Sequence, residues 1–240
     1  MKIYTHINLA LLLSSLCSLS QAAMTVYPME VSLGKKGAGK IRVISQDNNV
    51  QFVKVSLKKI SDPGTPKEHE IDANDMDKSN LIITPQKIAL AAGSERIVRL
   101  VSVTQPEKET TWRVYFEGVS EDIFNDSDNP SAKGKSSANV GVNVIWGALI
   151  HVAPKNIKAS LKYKMNSSTI INDGTVRIPV KELAVCDDAG KCVWAKKNIT
   201  VYPNTEISFP GITFSSNKNY KVKYINWLTR TTEEITLPPQ

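Results

Sequence analysis

Histidine and cysteine are scarce in this chain of 240 residues, at three each, and aromatic residues make up only 7%. His6 and Cys17 fall in an N-terminal stretch discussed below, which leaves His69, His151, Cys186 and Cys192. Two cysteines with no histidine nearby make a poor zinc site. His69 sits in an acidic segment and His151 in an apolar run, so both read as surface or structural side chains. No nucleophile elbow, phosphate loop or metal-ligand spacing occurs, although a Ser-His-Asp site forms only in the fold and leaves no local mark. The reading is therefore of a protein that is not an enzyme and needs no metal or cofactor.

Long apolar runs are absent beyond the first twenty residues, which excludes a membrane-spanning helix in the rest of the chain. A helical period is absent too. Basic residues exceed acidic ones to give a net charge of +7 and a pI of about 9.2. They are scattered rather than grouped with aromatic residues, so nucleic acid is not an expected partner. The excess fits solubility and a general preference for acidic surfaces.

What is present begins with an export signal. Met1-Lys2 is a positive start, residues 9–19 form an apolar core, and Ser20-Gln-Ala22 offers small residues at both recognition positions of a cleavage site. This pattern predicts a secretory leader over residues 1–22, cut near Ala22. An exported protein with one isolated cysteine pair favours a disulfide. In Cys186-Asp-Asp-Ala-Gly-Lys-Cys192 the intervening residues are turn formers, so the bridge is expected to staple a hairpin tip. Loop entropy alone assigns so small a ring about 2 kcal/mol.

After the leader, nearly every segment reads as strand. Apolar and polar residues alternate through 24–33, 40–45, 50–60, 94–103 and 110–119, with shorter runs at 81–83 and 87–90. Pro28 marks an edge or a bend. Residues 61–79, rich in Pro, Gly and acidic side chains, are expected to be a solvated loop. Polar residues 120–138 lead into Asn139-Val-Gly-Val-Asn-Val-Ile-Trp-Gly-Ala-Leu-Ile-His-Val152. There Val140, Val142 and Val144 alternate with polar residues or glycine, and from Ile145 to Val152 the run is apolar on both faces, so this half is expected to be buried inside a sandwich. Fourteen residues of strand would reach about 45 Å, well beyond the usual length. Part of it is expected to project as an apolar edge, a feature most proteins suppress. The alternative is an ordinary long core strand.

Short strands separated by turns over this length predict an immunoglobulin-like sandwich. A second strand series starts after 154–157, at 159–163, 168–171, 175–186, 192–196, 220–227 and 234–237. The expected fold is all-β: two immunoglobulin-like β-sandwich domains joined at an angle with a cleft between them. The boundaries are 1–22 for the leader, 23–153 for the first domain and 154–240 for the second.

This organisation resembles the periplasmic chaperones of the chaperone–usher pathway. Several stretches resemble its alternate branch, the chaperones of class 5 fimbriae such as CFA/I-type pili. They are Met24-Thr-Val-Tyr-Pro28, Asp62-Pro-Gly-Thr65, Leu81-Ile-Ile-Thr-Pro-Gln-Lys-Ile-Ala-Leu90, Trp112-Arg-Val-Tyr-Phe-Glu117, Val142-Asn-Val-Ile-Trp-Gly-Ala-Leu-Ile150 and the Cys186–Cys192 pair. The resemblance implies a periplasmic protein that caps pilus subunits, both major pilin and tip adhesin, and delivers them to an outer-membrane usher. It would do so by giving a strand to an incomplete subunit sandwich, with Val140, Val142, Val144 and Trp146 filling the subunit's pockets. Without a client the chain is expected as a monomer, or as a dimer in which a second copy covers the same edge.

One departure from the best-known members matters. They hold the subunit's terminal carboxylate with an Arg on the first strand and a Lys on the donor strand. Here no Arg lies between Met24 and Leu33, and Leu149 stands where the Lys would fall. If 110–119 and 139–152 pair antiparallel, Arg113 lies beside 146–151, at the base of the cleft, and is the first candidate anchor; Arg42 is the second. The other reading of Arg113 is a structural ion-pair partner. A pilus subunit or adhesin is the rival function, with residues 24–33 as its own donor extension.

Overall fold

The computed structural model describes residues 23–73, 80–125, 144–227 and 229–240. The expected leader, with its cleavage site, and the donor positions Val140 and Val142 lie outside the described residues. In the first half the strands are β1 (Met24–Tyr27), β2 (Glu30–Leu33), β3 (Ala38–Ser45), β4 (Gln51–Ser61), β5 (His69–Asp72), β6 (Leu81–Thr84), β7 (Lys87–Leu90), β8 (Glu95–Ser102), β9 (Thr110–Val119) and β10 (Ile145–Val152). They form two facing sheets. One has the order β1-β3-β8-β6, and the other β2-β10-β9-β4-β5 with β7 also on β4.

Alternation sets which side chains meet between the sheets. Ile41 and Val43, Val98 and Leu100, Val53 and Val55, and Trp112, Val114 and Phe116 are all buried and spaced by two. In register, Val114 faces Ala148 and Trp112 faces Ile150. Each fully buried aliphatic side chain of this kind contributes about 1.5–3 kcal/mol of transfer free energy. Pro28 lies between β1 and β2, which belong to opposite sheets, and Pro85 likewise lies between β6 and β7. Lacking an N–H for a ladder, proline suits such crossings.

Three expectations need correction here. Residues 61–79 are not all loop, because His69–Asp72 forms β5 against β4; its charges pair with basic neighbours, which a polarity pattern does not reveal. A helix does occur: α1 (Glu121–Asn125) is too short to show a period, and its Phe124 ring stacks 4.8 Å from Phe52. Ile145 is 51% exposed rather than buried on both faces, since it lies beyond the end of β2.

The second half contains β11 (Leu161–Tyr163), β12 (Thr169–Asn172), β13 (Ile178–Cys186), β14 (Cys192–Val201), β15 (Glu206–Ser208), β16 (Asn219–Asn226) and β17 (Thr231–Leu237). Their sheets are β11-β12-β15 and β14-β13-β16-β17. The core is centred on Tyr163, Phe214 and Tyr220, whose ring centroids lie 4.9–5.1 Å apart. Cys186 and Cys192 are directly opposed on β13 and β14 and form a disulfide, with Gly190 at φ +81° in the turn. The protein thus has two hydrophobic cores, one drawn from residues 24–152 and one from 161–237, in a two-domain all-β fold. Among the described residues no helix is long and apolar enough to cross a membrane.

Candidate functional site

The site is built on β10. On one side all eight of its residues pair antiparallel with β9, from Ile145↔Glu117 to Val152↔Thr110. On the other side β2 pairs with it in parallel only from Leu149 to Val152. Leu149 N–H donates to Met29 O at 2.8 Å, and Ala153 N–H to Leu33 O at 2.9 Å. By the alternation of a strand, the N–H and C=O groups of Ile145 and Gly147 point to this same edge. Among the described residues nothing pairs with them there.

Two apolar side chains mark the open end: Val144 is 45% and Ile145 51% exposed. Trp146, opposite Phe116, packs partly into the first core, and its indole N–H is buried with no hydrogen-bond partner. Val144 shares the parity of Trp146 and Ala148, so it lies on the same face as the residues that pack into the first core. Gly147 has a packing reason. A Cβ there would meet Arg113 Cδ and Tyr115 Cε1 at 3.1 Å each, so these side chains cross this strand only because glycine leaves room.

Arg113 sits on β9 opposite Leu149, as antiparallel pairing predicts. Its guanidinium does not reach the interdomain cavity. It is bound by Glu70 of β5 and lies 3.8 Å from Glu68. Partial burial opposes its charge, but the bonds to Tyr115 and Glu70 outweigh this and hold its pKa above the usual arginine value. Arg42 lies on β3 in the opposite sheet, 3.4 Å from Glu95 and stacked over the Tyr27 ring.

A second charged cluster was not legible in the sequence. Arg177 of the second half is almost fully buried and donates to Glu109 Oε1 at 2.7 Å, Glu30 Oε1 at 3.2 Å and Ser32 Oγ at 3.1 Å, all from the first half. His151, also buried, places Nε2 3.3 Å from Glu30 and Nδ1 3.6 Å from Glu109. The hydrogen bond with His151, helped by Arg177, holds the Glu30 carboxyl below its ordinary range against partial burial. Gly64, at φ +72°, presses the β4–β5 turn against Tyr202 of the second half: a Cβ there would lie 3.0 Å from the Tyr202 ring. Burial raises the Tyr202 pKa. Beside this cluster an open cavity of about 590 Å³ is lined by Pro28, Glu30, Arg177, Ile225, Trp227 and Arg230, among others.

Residues 24–33 bear on the rival function. A free donor extension would be unpaired, yet β1 and β2 are consumed by the two sheets of their own domain.

No family model matches the chain. It is 32% identical to a CFA/I fimbrial protein of Escherichia coli, over 86% of this chain and 85% of that one. Among solved structures it resembles the class 5 fimbriae chaperone CfaA, with a TM-score of 0.74 and 28% identity over 90% of this chain and 100% of that one. It also resembles a chain of the CFA/I chaperone–tip adhesin complex, with a TM-score of 0.71 and 29% identity over 91% of this chain and 100% of that one.

Proposed function

The chain belongs to the family of class 5 fimbriae chaperones, and on that premise we propose that it works in the periplasm as a donor-strand chaperone for pilus subunits. The carrying observation is the open edge of β10. Backbone groups at Ile145 and Gly147 that nothing pairs among the described residues, beside exposed Val144 and Ile145, are what β-augmentation requires: main-chain bonds supply affinity and alternate side chains supply fit. The sequence continues the alternation outward through Val142 and Val140. The client is an incomplete sandwich, either the major pilin or the tip adhesin, and Val140, Val142, Val144 and Trp146 enter its groove. The complex then passes to an outer-membrane usher. A leader cut near Ala22 exports the chain, and the disulfide suits an oxidising compartment. Without a client, a second copy covers the edge, which is otherwise open to aggregation.

Arg113 is the better placed of the two candidate anchors for the client's terminal carboxylate. It lies one strand from β10 at the row where the open edge ends, whereas Arg42 is in the other sheet. The test is periplasmic co-purification with a tagged fimbrial subunit. Val144→Asp and Val142→Asp place a charge in the client's groove and should reduce recovery at least tenfold, while urea denaturation shows the chaperone folded. Undiminished recovery would overturn the reading.

A further inference from the structure

Arg113 and Tyr115 share the outer face of β9 and converge on a single oxygen. Arg113 Nη1 and the Tyr115 hydroxyl both donate to Glu70 Oε1, the hydroxyl at 2.6 Å. Two donors fixed on a central strand and aimed at one carboxylate oxygen constitute a carboxylate receptor. Here the chain supplies the carboxylate itself, from an edge strand of the same sheet. β5 has four residues, lies at the sheet edge and pairs with β4 only over Lys58 to Ser61. None of its four residues is buried.

The register gives this arrangement a direction. One cross-strand row runs Glu30–Leu149–Arg113–Lys58–Asp72. Arg113 is therefore two strand spacings, about 10 Å, from β5. The open edge of β10 ends at this row, because β2 takes over at Glu30. A client strand laid against Ile145 and Gly147 is stopped by β2 here, and it too lies about two spacings from Arg113 on the opposite side. Arg113 stands midway between the carboxylate it holds and the place where a client strand must end. Its stem already leans toward β10, over Gly147.

We propose that Glu70 is an internal stand-in for the client's terminal carboxylate, and that docking on β10 transfers Arg113 and Tyr115 from Glu70 to the client. The inference rests on the reading of Arg113 as anchor given above. Exchange of one carboxylate for another keeps the guanidinium compensated in both states, so neither leaves a half-buried cation without a partner. The internal competitor lowers affinity for any strand lacking a correctly placed carboxylate, and release of Glu70 frees β5 when a client is held. Lys58–Asp72, at 3.3 Å, is untouched by the exchange.

The test uses the full chain and two synthetic peptides with one alternating valine–polar sequence, one ending in a free carboxylate and one in an amide, followed by fluorescence anisotropy. Wild type should prefer the free acid. Glu70→Gln, which weakens the competitor, should bind the free acid about tenfold more tightly with the amide unchanged, the ratio expected for one charge-assisted hydrogen bond. Arg113→Ala should abolish the preference, and Tyr115→Phe should reduce it severalfold. If Arg113→Ala loses the preference but neither Glu70→Gln nor Tyr115→Phe alters it, the stand-in is overturned and the anchor stands. If wild type and Arg113→Ala treat the two peptides alike, or neither peptide binds, the anchor reading itself falls, and this inference with it.

Discussion

Two arginines in this protein meet carboxylates in opposite ways. Arg177 is 5% exposed and its main partner, Glu109, is fully enclosed; the contacts come from two separate elements of the other domain. Arg113 is 27% exposed, and its partner Glu70 is 24% exposed on a four-residue edge strand. Burial decides how replaceable each partner is. An ion pair sealed from water cannot lose one member without leaving a bare charge, whereas a half-exposed pair can exchange with water or another carboxylate at little cost. Arg177 therefore joins the domains, and Arg113 is free to take part in an exchange.

The largest expected effect breaks the sealed pair. Arg177→Ala leaves Glu109 enclosed in the interface without its guanidinium, facing only the N–H of residue 177 at 3.4 Å and His151 at 3.6 Å, and should cost about 3–5 kcal/mol, read from the midpoint of urea denaturation by tryptophan fluorescence. Adding Glu109→Gln removes the stranded charge and should recover most of the loss. A cost below about 1 kcal/mol for the single change would place the two arginines in one class. Arg113→Ala, measured in the same way, should cost about 1 kcal/mol or less, the range of exposed pairs. A cost like that of Arg177→Ala would mark Arg113 as structural and remove it as an anchor.

How far the sequence discloses this differs by element. Residues 110–119 match β9, because Trp112, Val114 and Phe116 face one core and alternation is a local signal. The hairpin tip at the disulfide was equally legible, since both partners and the turn lie within seven residues. β5 was not, because it buries none of its residues and its acidic side chains meet Lys58 and Arg113, which lie apart from them in sequence. The Arg177–Glu109 pair was hidden for the same reason: its members are 68 residues apart, each just ahead of a strand, and no local pattern joins them. Arg113 shows the limit most clearly. Its row in the sheet followed from strand pairing, but its engagement by Glu70 depended on a strand read as loop.

The smallest expected effect concerns Glu30, which belongs to the sealed cluster yet is partly open to water. His151 and Arg177 hold its folded-state pKa below the ordinary 4.5. A depressed carboxylate favours the folded state at every pH above its ordinary value, and the contribution fades as pH falls through the folded pKa. Wild type should therefore be more stable than Glu30→Gln at neutral pH, and the difference should close only in acid, below 4.5. Urea midpoints of both chains across pH 3 to 7 would measure it, with the gap smaller than the Arg177→Ala loss because solvent screens part of the interaction. A gap that stays constant into acid would show that Glu30 acts through packing or neutral hydrogen bonds. The cluster would then rest on the Arg177–Glu109 pair alone, and the contrast with Arg113 would narrow to a single sealed contact.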